Sequence, residues 1–291
     1  MKHLISKTIL SAAVAACCFT SASAFADVYQ PFTINEGSVL GANPQLVTAG
    51  DINGLYNERV FFSGGPTGTF STALYFIAGQ YINTNATGTA GGQLGTNPSN
   101  PNQYELYATL TGNGTYTQDT TTGKTVFTFA QGGNLQVSID PLSDTTFNFS
   151  TAPGTNNPTV TPVNTGDDKL VATGFIQNGQ GTADPSLMTC GAAGAPRQGI
   201  NCGSFGTTTP LTLTDFGKTF FIAPDPFYLF ALESGQFNFL NAAAGGTQST
   251  SGSADVTFDG RPAVVPEPES IALFGVGLLG LGLAMRRRKQ S

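Results

Sequence analysis

The chain has 291 residues, and only 10% of them are charged, against roughly 25% in an average soluble domain. Its 22 phenylalanines make it too aromatic for a disordered chain, and it has too few Glu, Lys, Arg and Leu residues for a helical one. Residues 27–265 contain 6 basic and 16 acidic residues, a net charge of 6 − 16 = −10, which excludes nucleic acid and anionic lipid as expected partners of this region.

The first residues have the order of a secretory signal peptide. A basic start is followed by an apolar stretch and then by small residues in the A-x-A pattern that precedes cleavage. We predict cleavage after Ala26, with Ala24 as the alternative site. Another alternative is lipidation of Cys17, because the VAAC sequence that ends there loosely resembles a lipoprotein processing box. After removal of residues 1–26, the exported chain contains no histidine.

The region after the signal peptide is predicted to be β throughout. The 37 glycines of the chain, with many Thr and Asn residues, favour short strands joined by turns. Residues 134–140 (NLQVSID) alternate between apolar and polar side chains, which is the period of a half-buried strand. Further strands are predicted at residues 70–82, 104–110, 124–130, 170–177 and 255–259. With no amphipathic helix between residues 27 and 265, we expect an all-β fold, either an antiparallel sandwich or an open barrel-like sheet.

Turn-rich segments separate these strands. They are predicted at residues 63–68, 84–102, 111–114, 119–124, 150–168 and 241–253. Within them, Gly112-Asn113-Gly114 is interpreted as a hairpin turn. Segment 150–168 is predicted to be a long loop inside one domain, with a boundary between two domains as the alternative. No period of 20 to 50 residues repeats, so a solenoid is not expected.

Two cysteines remain after removal of the signal peptide. Cys190 and Cys202 are predicted to form a disulfide, because an isolated pair of cysteines in an oxidising compartment is usually joined. Closing so short a loop contributes about 3 kcal/mol in the chain-entropy model. Two free thiols or a shared metal site are the alternatives, although two thiols without histidine are an incomplete zinc site.

The chemistry expected of an enzyme is missing from the exported region. Without histidine it has no Ser-His-Asp or Cys-His arrangement, and it has no phosphate-binding glycine loop. We therefore predict a non-catalytic protein without a cofactor. A pair of carboxylates that cleaves glycans is an alternative. The acids are scattered along the chain and Trp is absent, and both observations argue against it. Asp167-Asp168 is predicted to be a solvated turn, with oxygen ligation of calcium as its alternative.

The C-terminal residues combine three features in sequence. Pro266-Glu267-Pro268 predicts a stiff, extended segment, because each proline restricts itself and the residue before it. Ile271 to Met285 is apolar and uncharged, and as a helix it extends about 22 Å, short of the roughly 30 Å hydrocarbon core. We predict a weak single transmembrane helix, followed by a cytoplasmic stop. That stop consists of Arg286, Arg287, Arg288 and Lys289.

This tail, VPEPES followed by IALFGVGLLGLGLAMRRRK, resembles the PEP-CTERM sorting domain of Gram-negative bacteria. The resemblance implies that a membrane-embedded exosortase recognises Pro266, Glu267 and Pro268 and processes the tail near them. It also implies a transient membrane anchor through the C-terminal helix, and a final location at the cell surface or in the extracellular matrix. Proteins of this class are associated with exopolysaccharide production, biofilm and floc formation.

Two further stretches, residues 28–58 and 234–260, are similar to the flocculation-associated PEP-CTERM proteins. Those carry a Gln-Phe element before the sorting signal, here Gln236-Phe237. An acidic residue follows soon after in the family, whereas Asn238-Phe239-Leu240-Asn241 follows here. The resemblance implies a non-enzymatic extracellular protein that retains exopolysaccharide and holds cells in flocs.

These observations predict three regions: a signal peptide at residues 1–26, a β-rich extracellular domain at 27–262 and a sorting and anchor segment at 263–291. The expected function is that of an exosortase-sorted matrix protein whose partners are exosortase, exopolysaccharide and the membrane. A secreted glycan-active enzyme and a calcium-dependent adhesive module are the alternatives.

Overall fold

The computed structural model describes residues 30–85, 88–96, 102–190 and 201–259. Within these ranges the chain is mostly β with large antiparallel sheets, as predicted. The strands are β1 (Phe32–Asn35), β2 (Leu46–Ala49), β3 (Asp51–Phe62), β4 (Thr67–Ile82), β5 (Thr89–Gly91), β6 (Glu105–Gln118), β7 (Thr125–Phe129), β8 (Gly132–Asp140), β9 (Thr146–Thr151), β10 (Pro158–Val163), β11 (Lys169–Ile176), β12 (Asn178–Ala183), β13 (Gly203–Leu213), β14 (Phe221–Ala223), β15 (Phe230–Phe237) and β16 (Gly246–Asp259).

Most of these strands form one sheet that closes on itself. β7 and β8 follow each other along the same edge of β6, and β12 and β11 pair with them in the same way. The sheet therefore has eight strand positions, namely β3, β4, β6, β7/β8, β12/β11, β13, β15 and β16. Because β16 pairs with β3 and β4 pairs with β6, this circuit of described strands has no free edge. The predicted all-β fold with antiparallel sheets is confirmed. The described strands form neither the predicted sandwich nor the predicted open sheet, because they close into a barrel.

Side chains alternate between the inside and the outside of the barrel. In β8, Leu135 and Ile139 are buried, whereas Asn134 and Gln136, on either side of Leu135, are exposed. In β3, the buried positions Ile52, Tyr56, Val60 and Phe62 follow the same alternation. Period two places apolar side chains on one face of a strand, and closure of the sheet turns that face towards the core.

Residues 111–114 were expected to form a turn, and this prediction is wrong. They lie inside β6, so Gly112-Asn113-Gly114 is not a hairpin turn. Glycine is required at 114 for close approach: a Cβ there would lie 2.1 Å from the backbone oxygen of Thr128 and 2.7 Å from the Phe70 ring. The glycine therefore allows β7 and an aromatic ring to pack against β6.

Other segments predicted as turns also contain strand residues, including β5 within segment 84–102. Segment 150–168 is not a single loop, because β10 pairs with β9 from Thr146↔Val163 to Thr151↔Pro158. Most of segment 241–253 belongs to β16, which pairs with β3 over its length. In both segments Thr, Ser, Gly and Pro hide the strand, since they provide no apolar alternation to detect.

Aromatic side chains fill the two ends of the barrel. At one end, the small sheet of β14, β1 and β2 brings Phe32 against Phe221 and Phe258, with ring centroids 5.9 and 5.1 Å away. At the other end, Phe62 contacts Tyr116 and Phe127 at 5.4 and 6.0 Å. Contacts between large rings of this kind, edge-on in all but the Phe62–Phe127 pair, close the core without requiring charged groups.

Helices contribute little to the described structure. One short α-helix, Asp215–Phe220, begins after Thr214, whose side chain accepts a hydrogen bond from the Gly217 N–H. Its six residues are too few to leave an amphipathic repeat, which is why the sequence predicted no helix. In the ranges that the structure covers, no helix has the length and apolarity needed to cross a bilayer. The predicted span at residues 271–285 lies outside those ranges.

Candidate functional site

An uncharged groove crosses the outer surface of β3, β4, β6 and β7. It has a volume of about 570 Å³. Among the described residues that line it, none is charged; hydroxyl, amide and aromatic side chains predominate. The polar and aromatic lining consists of Phe61, Thr69, Phe70, Ser71, Asn113, Thr115, Thr128, Phe129 and Asn157.

The register of the sheet arranges these side chains in two rows. Phe61 lies opposite Ser71, which lies opposite Asn113 on the next strand. Thr69 lies opposite Thr115, which lies opposite Thr128. Neighbouring strands are roughly 4.8 Å apart, so each row places hydroxyl or amide groups side by side at that spacing. The result is a ladder of hydrogen-bonding groups beside one aromatic ring.

The hairpin of β9 and β10, which we call the arm, lies across the outside of the barrel and contributes Asn157 to the groove. Phe147 of the arm stacks on Tyr75 of β4, with ring centroids 4.2 Å apart and planes 9° apart. The guanidinium of Arg59 lies 5.2 Å from the centre of the Phe149 ring. Aromatic stacking and a cation–π contact therefore hold the arm against the barrel.

The interior of the barrel holds two glutamates in an apolar environment. Glu58 accepts a hydrogen bond from the Thr72 hydroxyl, and Glu233 accepts bonds from Thr207 at 2.5 Å and Thr209 at 3.1 Å. Burial raises the pKa of Glu58 and the pKa of Glu233 to about 7, against an ordinary value of 4.5. The described ion pairs, Lys124–Asp184 and Lys218–Asp215, involve neither of them.

These glutamates face internal space rather than the outer groove. Glu233 lines an apolar cavity of about 80 Å³, and Glu58 lines a second one of about 40 Å³. Both cavities are bounded by Leu74, Leu110 and Phe205 from the core. A polymer chain cannot enter spaces of this size, which hold only a few water-sized molecules.

A cluster of carboxylates lies where the arm joins the barrel. Asp140, Asp144 and Asp167 each offer an oxygen, and these oxygens lie within 4.8 Å of one another. Asp168 and Glu105 are close by: burial, together with the negative charges of Asp140 and Asp168, raises the pKa of Glu105 to about 7. Such oxygen-only groups are the ligands of hard cations.

The predicted site residues are distributed unevenly over the described structure. Cys190 and Cys202 form the predicted disulfide, with sulfur atoms 2.02 Å apart. Gln236 is exposed, whereas Phe237 is buried and packs on Phe127. Asp167 and Asp168 lie in the carboxylate cluster, as the calcium alternative would require.

The other predicted site residues lie outside the described residues, so those assignments stay predictions. They are Ala26, Pro266, Glu267, Pro268, Arg286, Arg287, Arg288 and Lys289.

The groove was not predicted from the sequence. Its residues come from four strands and the arm, between positions 61 and 157. Its hydroxyl and amide side chains on the strands are outward-facing positions of Thr-, Ser- or Asn-containing strands, whereas Phe70 is buried and packs on Phe62 inside the barrel. The only local signal was alternation, which shows that a side chain points outward but not what lies beside it.

Comparison with known proteins identifies the C-terminal signal. Residues 264–289 match the PEP-CTERM protein-sorting motif. No curated protein and no solved structure matches the chain significantly. The motif indicates the class of protein: its export and sorting depend on exosortase, which is the predicted partner. The resemblance to flocculation-associated proteins stays a prediction.

Proposed function

We propose that this protein is a non-catalytic component of the cell surface or extracellular matrix that retains exopolysaccharide and supports floc or biofilm formation. The observation that carries the proposal is the uncharged groove on the barrel. The PEP-CTERM motif supports the proposal, because it indicates exosortase-dependent export and sorting, and an exopolysaccharide is met outside the cell.

The groove chemistry suits a hydrated sugar polymer. Asn113, Thr115 and Thr128 are exposed and can exchange hydrogen bonds with sugar hydroxyls. Phe61 offers a ring on which the apolar face of a sugar can pack. The chain has no Trp for this role. A groove without charge does not select one ionic form of the polymer. Each hydrogen bond contributes only about 1 kcal/mol net.

Weak single sites are compatible with firm retention when many copies share one surface. Linked binding events become intramolecular, so avidity rises by about 10² to 10⁴ without any new contact. We therefore expect low affinity for short oligosaccharides and strong retention of long chains. This is the behaviour of a matrix component.

The absence of catalysis is part of the proposal. The exported region has no histidine, and Glu58 and Glu233 face small internal cavities. A glycosidase needs two carboxyl groups roughly 5–10 Å apart on either side of the scissile bond. The groove lining contains no carboxyl group among its described residues.

The test uses chromosomal variants in the producing cells. Phe61→Ala combined with Asn113→Ala removes the ring and one amide of the groove, and we expect dispersed cells with polysaccharide released into the medium. The matched control, Leu55→Ala with Gln80→Ala, changes an exposed apolar side chain of β3 and an exposed amide of β4 outside the groove. Surface amounts of each variant are compared by immunoblot.

Two results would contradict the proposal at different levels. Unchanged flocs in a clean deletion strain would remove the matrix function altogether. Dispersal in the deletion strain with normal flocs in the groove variant would keep the function and reject the groove as its site.

A further inference from the structure

Five acidic side chains converge at the base of the arm. Asp140 ends β8, Asp144 lies in the segment that enters the arm, and Asp167 and Asp168 lie in the segment that leaves it. Glu105 begins β6 directly opposite Asp140. Residues directly opposite on antiparallel strands have side chains on the same face, so these two carboxylates are neighbours.

Part of this negative charge is compensated by hydrogen bonds. Asp140 accepts bonds from the N–H groups of Leu142 at 2.9 Å and Thr145 at 2.7 Å. Asp168 accepts a bond from the Tyr107 hydroxyl at 2.5 Å. No described ion pair involves any of the five acids, although Lys169 follows Asp168 in the chain.

Two buried carboxylate oxygens in the cluster have no hydrogen-bond partner. Glu105 is only 4% exposed, and its Oε1 is unpartnered. The Oδ2 of Asp167 is also buried without a partner. An unsatisfied buried acceptor costs about 1–3 kcal/mol, and more when it is charged. A bound cation is one of the few partners that satisfies a buried carboxylate oxygen of this kind.

We propose that this cluster is a divalent-cation site with Asp140, Asp144 and Asp167 as ligands and with Glu105 and Asp168 beside them. Calcium fits best, because it takes six to eight oxygen ligands in irregular geometry, whereas magnesium requires a regular octahedron at shorter distances. Loop segments that meet a strand end provide the irregular kind of site.

The position of the site gives the cation a mechanical role. Its ligands come from β8 and from both segments that connect the arm to the barrel, so one ion joins all three. Bound calcium therefore holds the base of the arm, while the aromatic contacts hold its strands. The inference stands without the proposed glycan function, because it concerns ion binding alone.

The test uses the processed protein purified from the exporting cells. After treatment with chelator, we titrate Ca²⁺ and follow thermal unfolding, and we repeat the titration with Tb³⁺ and follow its luminescence. Calcium at about 100 times its Kd lowers the unfolding equilibrium constant about 100-fold, and hydrogen exchange in β9 and β10 slows. Mg²⁺ has a smaller effect at the same concentration.

The variant Asp144→Asn, Asp167→Asn separates ligation from a purely structural role. Removing two like charges leaves the chelated variant at least as stable as the wild type, yet we expect calcium affinity to fall more than tenfold. Asp119→Asn, in an exposed turn elsewhere, is the control and keeps the wild-type response. If the double variant does not fold, Glu105→Gln is measured in its place.

The inference is overturned if wild-type protein unfolds identically in calcium and in chelator and does not sensitise Tb³⁺ luminescence. An undiminished calcium response in the folded double variant would likewise remove Asp144 and Asp167 as ligands.

Discussion

Glu58 and Glu233 face the apolar interior without a basic partner among the described ion pairs. Burial disfavours the charged carboxylate, and the threonine hydroxyls that donate to each one offset only part of this cost. Both groups therefore keep their protons to about pH 7, and folding is linked to proton binding. Buried carboxyl groups of this kind cost stability at pH values at which the unfolded chain ionises them.

We predict that Glu233→Gln makes the protein less sensitive to alkaline pH. The folded pKa of about 7 lies above the ordinary value of 4.5, so the folded state binds more protons between these values. Wild-type stability consequently falls as the pH rises through this window and levels off above it. The variant carries no proton to lose and is more stable than the wild type at pH 8, by up to about 3 kcal/mol. Urea unfolding at pH 5 and pH 8 measures the difference.

The control for this experiment is Asp119→Asn. Asp119 is exposed in a turn, and backbone N–H groups of Thr121 and Thr122 hold its pKa below the usual value. It remains ionised throughout the window, so its replacement leaves the slope unchanged. A wild-type slope in Glu233→Gln would show that this glutamate is not a buried proton acceptor.

The arm is an element whose attachment depends on few contacts. Phe147 stacks on Tyr75 and also meets the Tyr107 ring edge-on, with centroids 5.1 Å apart. The other residues of β9, apart from Phe149, are exposed, whereas β10 also packs on the barrel, with Pro158 buried and Val160 half-buried. The aromatic pairs therefore provide the contacts of β9 with the barrel. An element held by few contacts has a lower free energy of local opening than the core.

We predict that Phe147→Ala loosens the arm and leaves the barrel intact. Loss of two ring contacts from a half-buried position lowers the free energy of local opening by about 1–3 kcal/mol. Hydrogen exchange should accelerate in β9 and β10 and stay unchanged in β3 and β4. Asn148→Ala, the exposed neighbour on the same strand, is the matched control. Equal acceleration in arm and barrel would show that the arm is not a separate opening unit.

The sequence predicted several of the strands that bury alternate apolar side chains, although it missed β3. Residues 134–140 lie in β8, and residues 104–110 lie largely in β6. β10 and most of β16 were missed because Thr, Ser, Gly and Pro occupy them, and the same residues also form turns. Their strand conformation is imposed by pairing with β9 and β3, which no local pattern reveals.

The closure of the barrel and the two candidate sites depend on how all the strands of the molecule pair. Asp140 and Asp167 are neighbours only because β8, the arm and β11 follow one another in this register. Phe61 and Asn113 share a row only because β4 lies between their strands. The residue types at Asp167-Asp168 indicated possible oxygen ligands. The acids that join them from other strands could be identified only once the strand register was known. The sorting signal was predictable because its features are contiguous.

The delivery of the folded region depends on that contiguous signal. We predict that replacing Pro266-Glu267-Pro268 by three alanines blocks processing, because it removes the prolines from which the sequence predicts a stiff, extended recognition segment for exosortase. The variant should accumulate in the membrane fraction with an intact mass that includes residues up to Ser291, whereas wild-type protein lacks the tail. Wild-type protein in an exosortase-deficient strain is the control and should give the same retained mass. Normal release of the alanine variant would show that processing does not depend on the triplet, and the apolar segment with its basic end would then have to carry the signal.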